Sequence, residues 1–285
     1  MINNILVPTD YSLNSDKAVK YAIEIARKSG AKLTFLNIYY VPTYIVDVPI
    51  DPVSEGALKA KALRELELFK LEHLSETIEI SLECILRVGN TVEQIVACAN
   101  EINADLIIMG TKGASGIAEV VFGSNTEDVI EKSDIPVLAI PMMAHRLEFN
   151  NVVFATNYHY NDFMALEELI DVAKLFDATI TVLHIDDGEL VHEFEYSMLD
   201  NFRARVKEKI SYPNIHFQLM ENKNVYEGLQ DFIHKNKIDL LVLSARKKVM
   251  YNHFFGKSIS TKMVFHTHIP LLVFKINEDD EITNF

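Results

Sequence analysis

Residues 3–10, NNILVPTD, decide the fold, because they read as a short apolar strand running into a polar loop and because they recur. NNVVFATN at 150–157 repeats them at an offset of 147, and AKLTFLNI at 31–38 returns as ATITVLHI at 178–185 at the same offset. Further on, ADLIIMGTKG at 104–113 meets IDLLVLSARK at 238–247, and DIPVLAIP at 134–141 meets HIPLLVFK at 268–275, both at an offset of 134. Two matched pairs at each offset indicate a tandem duplication, with 13 residues lost between the second and fourth strands of the second copy. The junction is expected near 146–149, giving domains 1–146 and 147–285.

Around these anchors, β-branched or aliphatic runs alternate with longer amphipathic stretches, the pattern of an α/β fold with a parallel sheet flanked by helices. In the first copy a helix is expected over 15–29, closed by Gly30, and another over 54–73. A helix through TVEQIVACANEI separates the strands IEISLECILR (78–87) and ADLIIMG, and a last helix from Thr126 leads to IPVLAIP. Pro42, Pro49 and Pro52 mark 42–53 as loop. Each copy is thus β-α-β-α-β-α-β-α-β. The 285 residues carry 41 acidic and 27 basic side chains, a formal charge of -14, which disfavours nucleic acid and anionic membrane as partners. No apolar run approaches the roughly 20 residues of a membrane span, and the N-terminus lacks a signal-peptide pattern. Cys84 and Cys98 lie in apolar segments outside any CxxC pair and read as reduced core thiols. A soluble, cytoplasmic protein is the expectation.

Four of the ten glycines, Gly110, Gly113, Gly116 and Gly123, fall within fourteen residues just after the fourth strand. That is where open α/β sheets bind ligands, and glycine lets backbone amides approach an anion near the start of a following helix. Tight turns around a short helix are the alternative reading. Neither GxxxxGK[ST] nor a GxGxxG after the first strand is present. Asp10 suits a ribose hydroxyl, with an N-cap or turn former as the alternative reading. The spacing Gly110, Gly113, Gly123, Ser124 fits G-x2-G-x9-G-[S/T], and the chain resembles the universal stress protein family in this motif, in ILVPTD, LTFLNI, RVGN and SDIPVLAIP, and across both copies. The resemblance implies two Rossmann-like domains and ATP in the first. Asp10 would contact the ribose side and the Ile38 backbone the adenine. Gly110 and Gly113 would line the phosphates, and Gly123, Ser124, Asn125 and Thr126 would close around them. Pro8, Thr9 and Met109, beside these in the matched segments, complete the implied set.

In the second copy Gly110, Gly113 and Gly123 become Ser244, Lys247 and Lys257, and Asp10 becomes Asn157, so ATP is not expected there in the family's manner. Lys247, Lys248 and Lys257 could draw another anion or form a solvated basic face. His253, His266 and His268 are a weak metal pattern. His184 reads as a packed strand residue, and Tyr39, Tyr40 and Tyr44 as cleft wall or ordinary packing. No water-activating base, Walker B acid or GxSxG elbow is recognisable, which favours a regulatory stress-response module with slow hydrolysis at most over an ATPase or nucleotidyl transferase. Mg²⁺ is expected to arrive with the nucleotide. Family resemblance also implies that the last strands of the two copies face each other as an internal pseudo-dimer, and a homodimer of whole chains is possible.

Overall fold

Ser12 starts the first helix: its hydroxyl accepts from the Ser15 amide at 3.2 Å. From there α1 (Leu13–Ser29) buries Ala18, Val19, Ala22, Ile25 and Ala26 at helical spacing. It stops at Gly30, whose φ of 74° is a conformation glycine adopts without Cβ strain, and whose amide returns to Ala26 O at 2.8 Å. The strand before it, β1 (Asn4–Pro8), and the one after, β2 (Lys32–Tyr39), pair in parallel with Asn4 opposite Lys32. This computed structural model describes residues 1–41, 52–111, 124–188, 192–246 and 268–276. They fall into a first unit ending at Met142 and a second beginning at Met143.

The first unit continues with α2 (Pro52–Glu72), β3 (Leu82–Val88), α3 (Thr91–Glu101), β4 (Leu106–Gly110), α4 (Ser124–Lys132) and β5 (Val137–Ile140). Its strand order is β3-β2-β1-β4-β5, parallel throughout. Several expected boundaries move, α1 starting at Leu13 and α4 at Ser124, each two residues early, and two further shifts have a clear cause. The second helix takes in Pro52, because proline's fixed φ and missing N–H suit a helix's first turn. The third strand starts at Leu82, four residues later than Ile78, because its neighbour β2 begins only at Lys32 and pairs Leu33 with Leu82. The preceding residues have no strand to join: Ile80 N turns back to Thr77 O, and Ile78 is 82% exposed.

The second unit runs β6 (Asn151–Ala155), α5 (Tyr160–Phe176), β7 (Thr179–Asp186), α6 (His192–Lys209), β8 (Ile215–Glu221), α7 (Val225–Asn236), β9 (Leu240–Arg246) and β10 (Leu271–Ile276). Its order, β10-β9-β6-β7-β8, is the same winding, again parallel. The lost residues lie around the second helix, where α6 has 18 residues against 21 in α2. The repeat extends to single hydrogen bonds. Asp105 accepts the amides of Asn3 and Asn4 at 2.7 and 2.9 Å, and Asp239 those of Asn150 and Asn151 at 3.2 and 3.0 Å.

Both units bury their strands on two faces, with Ile5, Leu6, Val7, Ile107 and Ile108 in one and Val153, Phe154, Leu240 and Leu241 in the other fully enclosed. Cys98 is buried, Cys84 only half so, and burial pushes both thiols above their ordinary range. Among the described residues no helix is long and apolar enough to cross a membrane.

Candidate functional site

In each unit the chain winds outward from its first strand, then returns to lay the fourth strand on the other side. The crevice between the carboxyl ends of β1 and β4 is therefore the topological switch point of unit 1. Thr9 closes the β1 ladder through Thr9 N to Leu36 O at 2.8 Å, and its own carbonyl takes the Asn37 amide group at 2.8 Å. Thr9 Oγ1 accepts from Tyr11 N at 3.1 Å, which holds Tyr11 at a φ of 62°. The Tyr11 ring anchors this turn against Phe69, centroids 5.2 Å apart. Phe69 in turn packs on Phe35 and on His73, which sits 3.2 Å from Asp16. Burial, followed by Glu65 and Cys84, pushes the Tyr11 hydroxyl above its ordinary range, so it stays protonated.

Asp10 is exposed on the same loop, and its Oδ1 accepts from Ser12 N at 3.1 Å and Ser12 Oγ at 2.6 Å. It acts as a turn former while remaining at the mouth of the crevice. Pro8 and Met109, by contrast, are buried, and their side chains belong to the packing. Ile38 is informative through its backbone. Side by side alternation turns the N–H and C=O of Lys32 and Leu36 toward β1, as Lys32 N to Asn3 O shows, and hence those of Ile38 too. The β1 ladder ends at Pro8 opposite Leu36, so the Ile38 donor and acceptor project past it into the crevice.

On the opposite wall, Gly110 has a reason of its own to be glycine. A Cβ built there would lie 2.7 Å from Asn14 O and 2.9 Å from Asn14 Nδ2, so the first turn of α1 packs directly on the end of β4. Thr126 is buried, and its hydroxyl donates to Gly110 O at 2.8 Å, clamping α4 to β4. Ser124 and Asn125, the first residues of α4, are exposed and carry amides that no earlier helical turn uses. The structure thus brings Thr9, Asp10, the Ile38 backbone, Gly110 and the start of α4 to one crevice. Gly113, Gly116, Gly123, Tyr44 and the lysines 247, 248 and 257 lie outside the described residues, as do His253 and His266.

Unit 2 builds the same loop with different chemistry. Tyr158 N donates to Thr156 Oγ1 at 2.8 Å with φ 60°, the counterpart of Tyr11. His184 takes the place of Asn37, its Nδ1 2.7 Å from Thr156 O, and its Nε2 lies 3.0 Å from Glu195 Oε2. Both side chains are buried, the Tyr158 ring stacks 4.8 Å from the His184 ring, and burial ahead of Glu195 raises the Tyr158 hydroxyl. Sequence reading placed His184 correctly in a packed strand but missed Glu195, which stands in the shortened region where the repeat has no register. It also missed Asp162, although the offset aligns that residue with Ser15. Among the described residues no three His, Cys, Asp or Glu side chains converge to hold a metal ion.

Comparison with known proteins matches the universal stress protein family model to residues 1–141 and again to 148–275. A universal stress protein of Methanocaldococcus jannaschii is 32% identical over 147 residues, covering 49% of this chain and 82% of that protein. One from Thermus aquaticus is 30% identical over 141 residues, covering 49% of this chain and 99% of its own length. Among solved structures, a universal stress protein from Archaeoglobus fulgidus superposes with a TM-score of 0.74 at 20% identity, covering 96% of this chain and 99% of that one, a likeness of fold.

Proposed function

Since the chain belongs to the universal stress protein family, and carries its domain twice, we propose that it is an ATP-binding regulatory protein of the stress response with one nucleotide site, in the crevice of unit 1. The observation that carries this reading is the open end of β1, where the Ile38 N–H and C=O project past the ladder beside the exposed Asp10. A backbone donor next to an acceptor complements the adenine edge. A carboxylate at a strand's end accepts from a ribose diol, and the first amides of α4 at Ser124 and Asn125 suit phosphate oxygens. Gly113 and Gly123 would let the connecting backbone approach those oxygens. Mg²⁺ would enter with the phosphates, since this set supplies amides and hydroxyls and only one carboxylate. With no base assigned to water, turnover is expected to fall well below about 10 per second, and a rate in that range would favour a true ATPase or nucleotidyl transferase.

Protein purified, denatured and assayed for released nucleotide is expected to yield ATP, and calorimetry one site per chain. Gly113→Leu should abolish binding while the protein stays folded. Two equivalent sites, or undiminished affinity in that variant, would remove the reading. From the sequence argument alone we also propose that β5 and β10 face each other within the chain, as two apolar edge strands in need of cover. A charge at Leu138 or Leu272 should then expand the solution-scattering profile and expose the linker at 146–151 to protease. Unchanged profiles in both variants would dispose of that pairing.

A further inference from the structure

Within the first turn of the helix that follows the opening strand, one aligned position holds Ser15 in unit 1 and Asp162 in unit 2. Ser15 forms a neutral set: its hydroxyl lies 3.1 Å from Thr9 Oγ1 and donates to Ser12 O at 2.9 Å. Asp162 collects donors from both walls of its crevice. Its Oδ2 accepts Thr156 Oγ1 at 2.8 Å, Asn157 N at 3.0 Å and His159 N at 3.1 Å, and its Oδ1 accepts the Ser244 hydroxyl. A capping role on α5 needs only the His159 amide. The Thr156, Asn157 and Ser244 donors come from the ends of β6 and β9, the strands that bound the switch point of unit 2.

Two replacements work together in this arrangement. Ser244 stands where unit 1 has Gly110, and its hydroxyl bridges to a carboxylate that unit 1 lacks. Asp162 is only 4% exposed, so its charge sits inside the crevice, whereas the carboxylate of unit 1, Asp10, is at the mouth. We propose that this position decides whether the crevice admits an anion, and that in unit 2 the Asp162 carboxylate is itself the anion held there. An entering phosphate would compete with a tethered acceptor already in place and be repelled by its charge. Unit 2 is thereby left to neutral or cationic ligands, and the loss of its signature glycines is only part of the reason.

For unit 1 this inference rests on the nucleotide reading above; for unit 2 it does not, and the experiment separates them. In the full-length, isotope-labelled protein, Asp162→Ser installs the residue that unit 1 already accommodates. The Asn157 and His159 amides should then exchange at least about tenfold faster. Added inorganic tripolyphosphate should shift these amides in Asp162→Ser and leave them still in the wild type. Asp162→Asn, which removes the charge with little change of shape, serves if the serine variant fails to fold. In unit 1, Ser15→Asp should weaken ATP binding at least about tenfold while Ser15→Ala keeps it. Unchanged exchange, no tripolyphosphate response in either Asp162 variant, or full ATP affinity in a folded Ser15→Asp protein would overturn the inference. Wild-type protein that binds no ATP would instead overturn the proposed function, and the Asp162 variants would still decide this one.

Discussion

Gly110→Val is expected to destabilise the first unit by about 3 kcal/mol, the upper end of what overpacking costs, before any question of ligand arises. The Cβ would meet Asn14 O at 2.7 Å and the carbonyl carbon at 2.9 Å, and backbone at the first turn of a helix cannot swing aside as a side-chain tip can. Relief requires α1 to lift off β4, which would pull on the contacts of buried Ala18, Val19 and Ala22 and on the Thr126 clamp at Gly110 O. Gly56→Ala supplies the control. A Cβ at Gly56 meets nothing within 4 Å, and alanine in mid-helix is favoured over glycine, so a gain of about 0.5–1 kcal/mol is expected. Denaturant midpoints of the two variants should move in opposite directions. If Gly110→Val unfolds with the wild type, the close packing of α1 on β4 is wrong.

His184→Ala should destabilise the second unit by about 2–4 kcal/mol, because it leaves two buried acceptors, Thr156 O and Glu195 Oε2, without the ring that faces them. Thr156 O loses a donor 2.7 Å away, and Glu195, 4% exposed, loses the imidazole nitrogen 3.0 Å from its Oε2. A carbonyl only accepts, so Nδ1 carries a proton, and Nε2 faces the carboxylate at 3.0 Å. Unit 1 shows how to repair the site. Asn37 serves the Thr9 carbonyl there at 2.8 Å, so His184→Asn should restore that bond yet still strand Glu195. The double variant His184→Asn, Glu195→Leu should recover most of the loss, and a thermodynamic cycle over the two positions should return a coupling of at least about 1 kcal/mol. Additive effects would mean that the pair contributes nothing as a pair.

Much of this architecture can be read without coordinates, because it is written in local patterns. The helix stop at Gly30 and the strands matched at offsets of 147 and 134 follow from short-range chemistry and repetition. Duplication and parallel winding are thus properties of the sequence by itself. The start of β3 is not, since a period-2 run at 78–81 becomes strand only where a neighbour is long enough to pair with it.

The site divides in the same way. Sequence alone placed Asp10 at a strand's end and a helix start at Thr126, within two residues of the observed Ser124, because both are local signals. Tertiary structure alone decided why Gly110 is glycine, since the clashing atoms belong to Asn14 in another element. It also decided that Asp162 reaches Ser244, 82 residues away, and that Glu195 covers His184. Such contacts leave no periodicity behind them. A buried polar group must find partners wherever the fold brings donors together, and that convergence exists only once the sheet has wound.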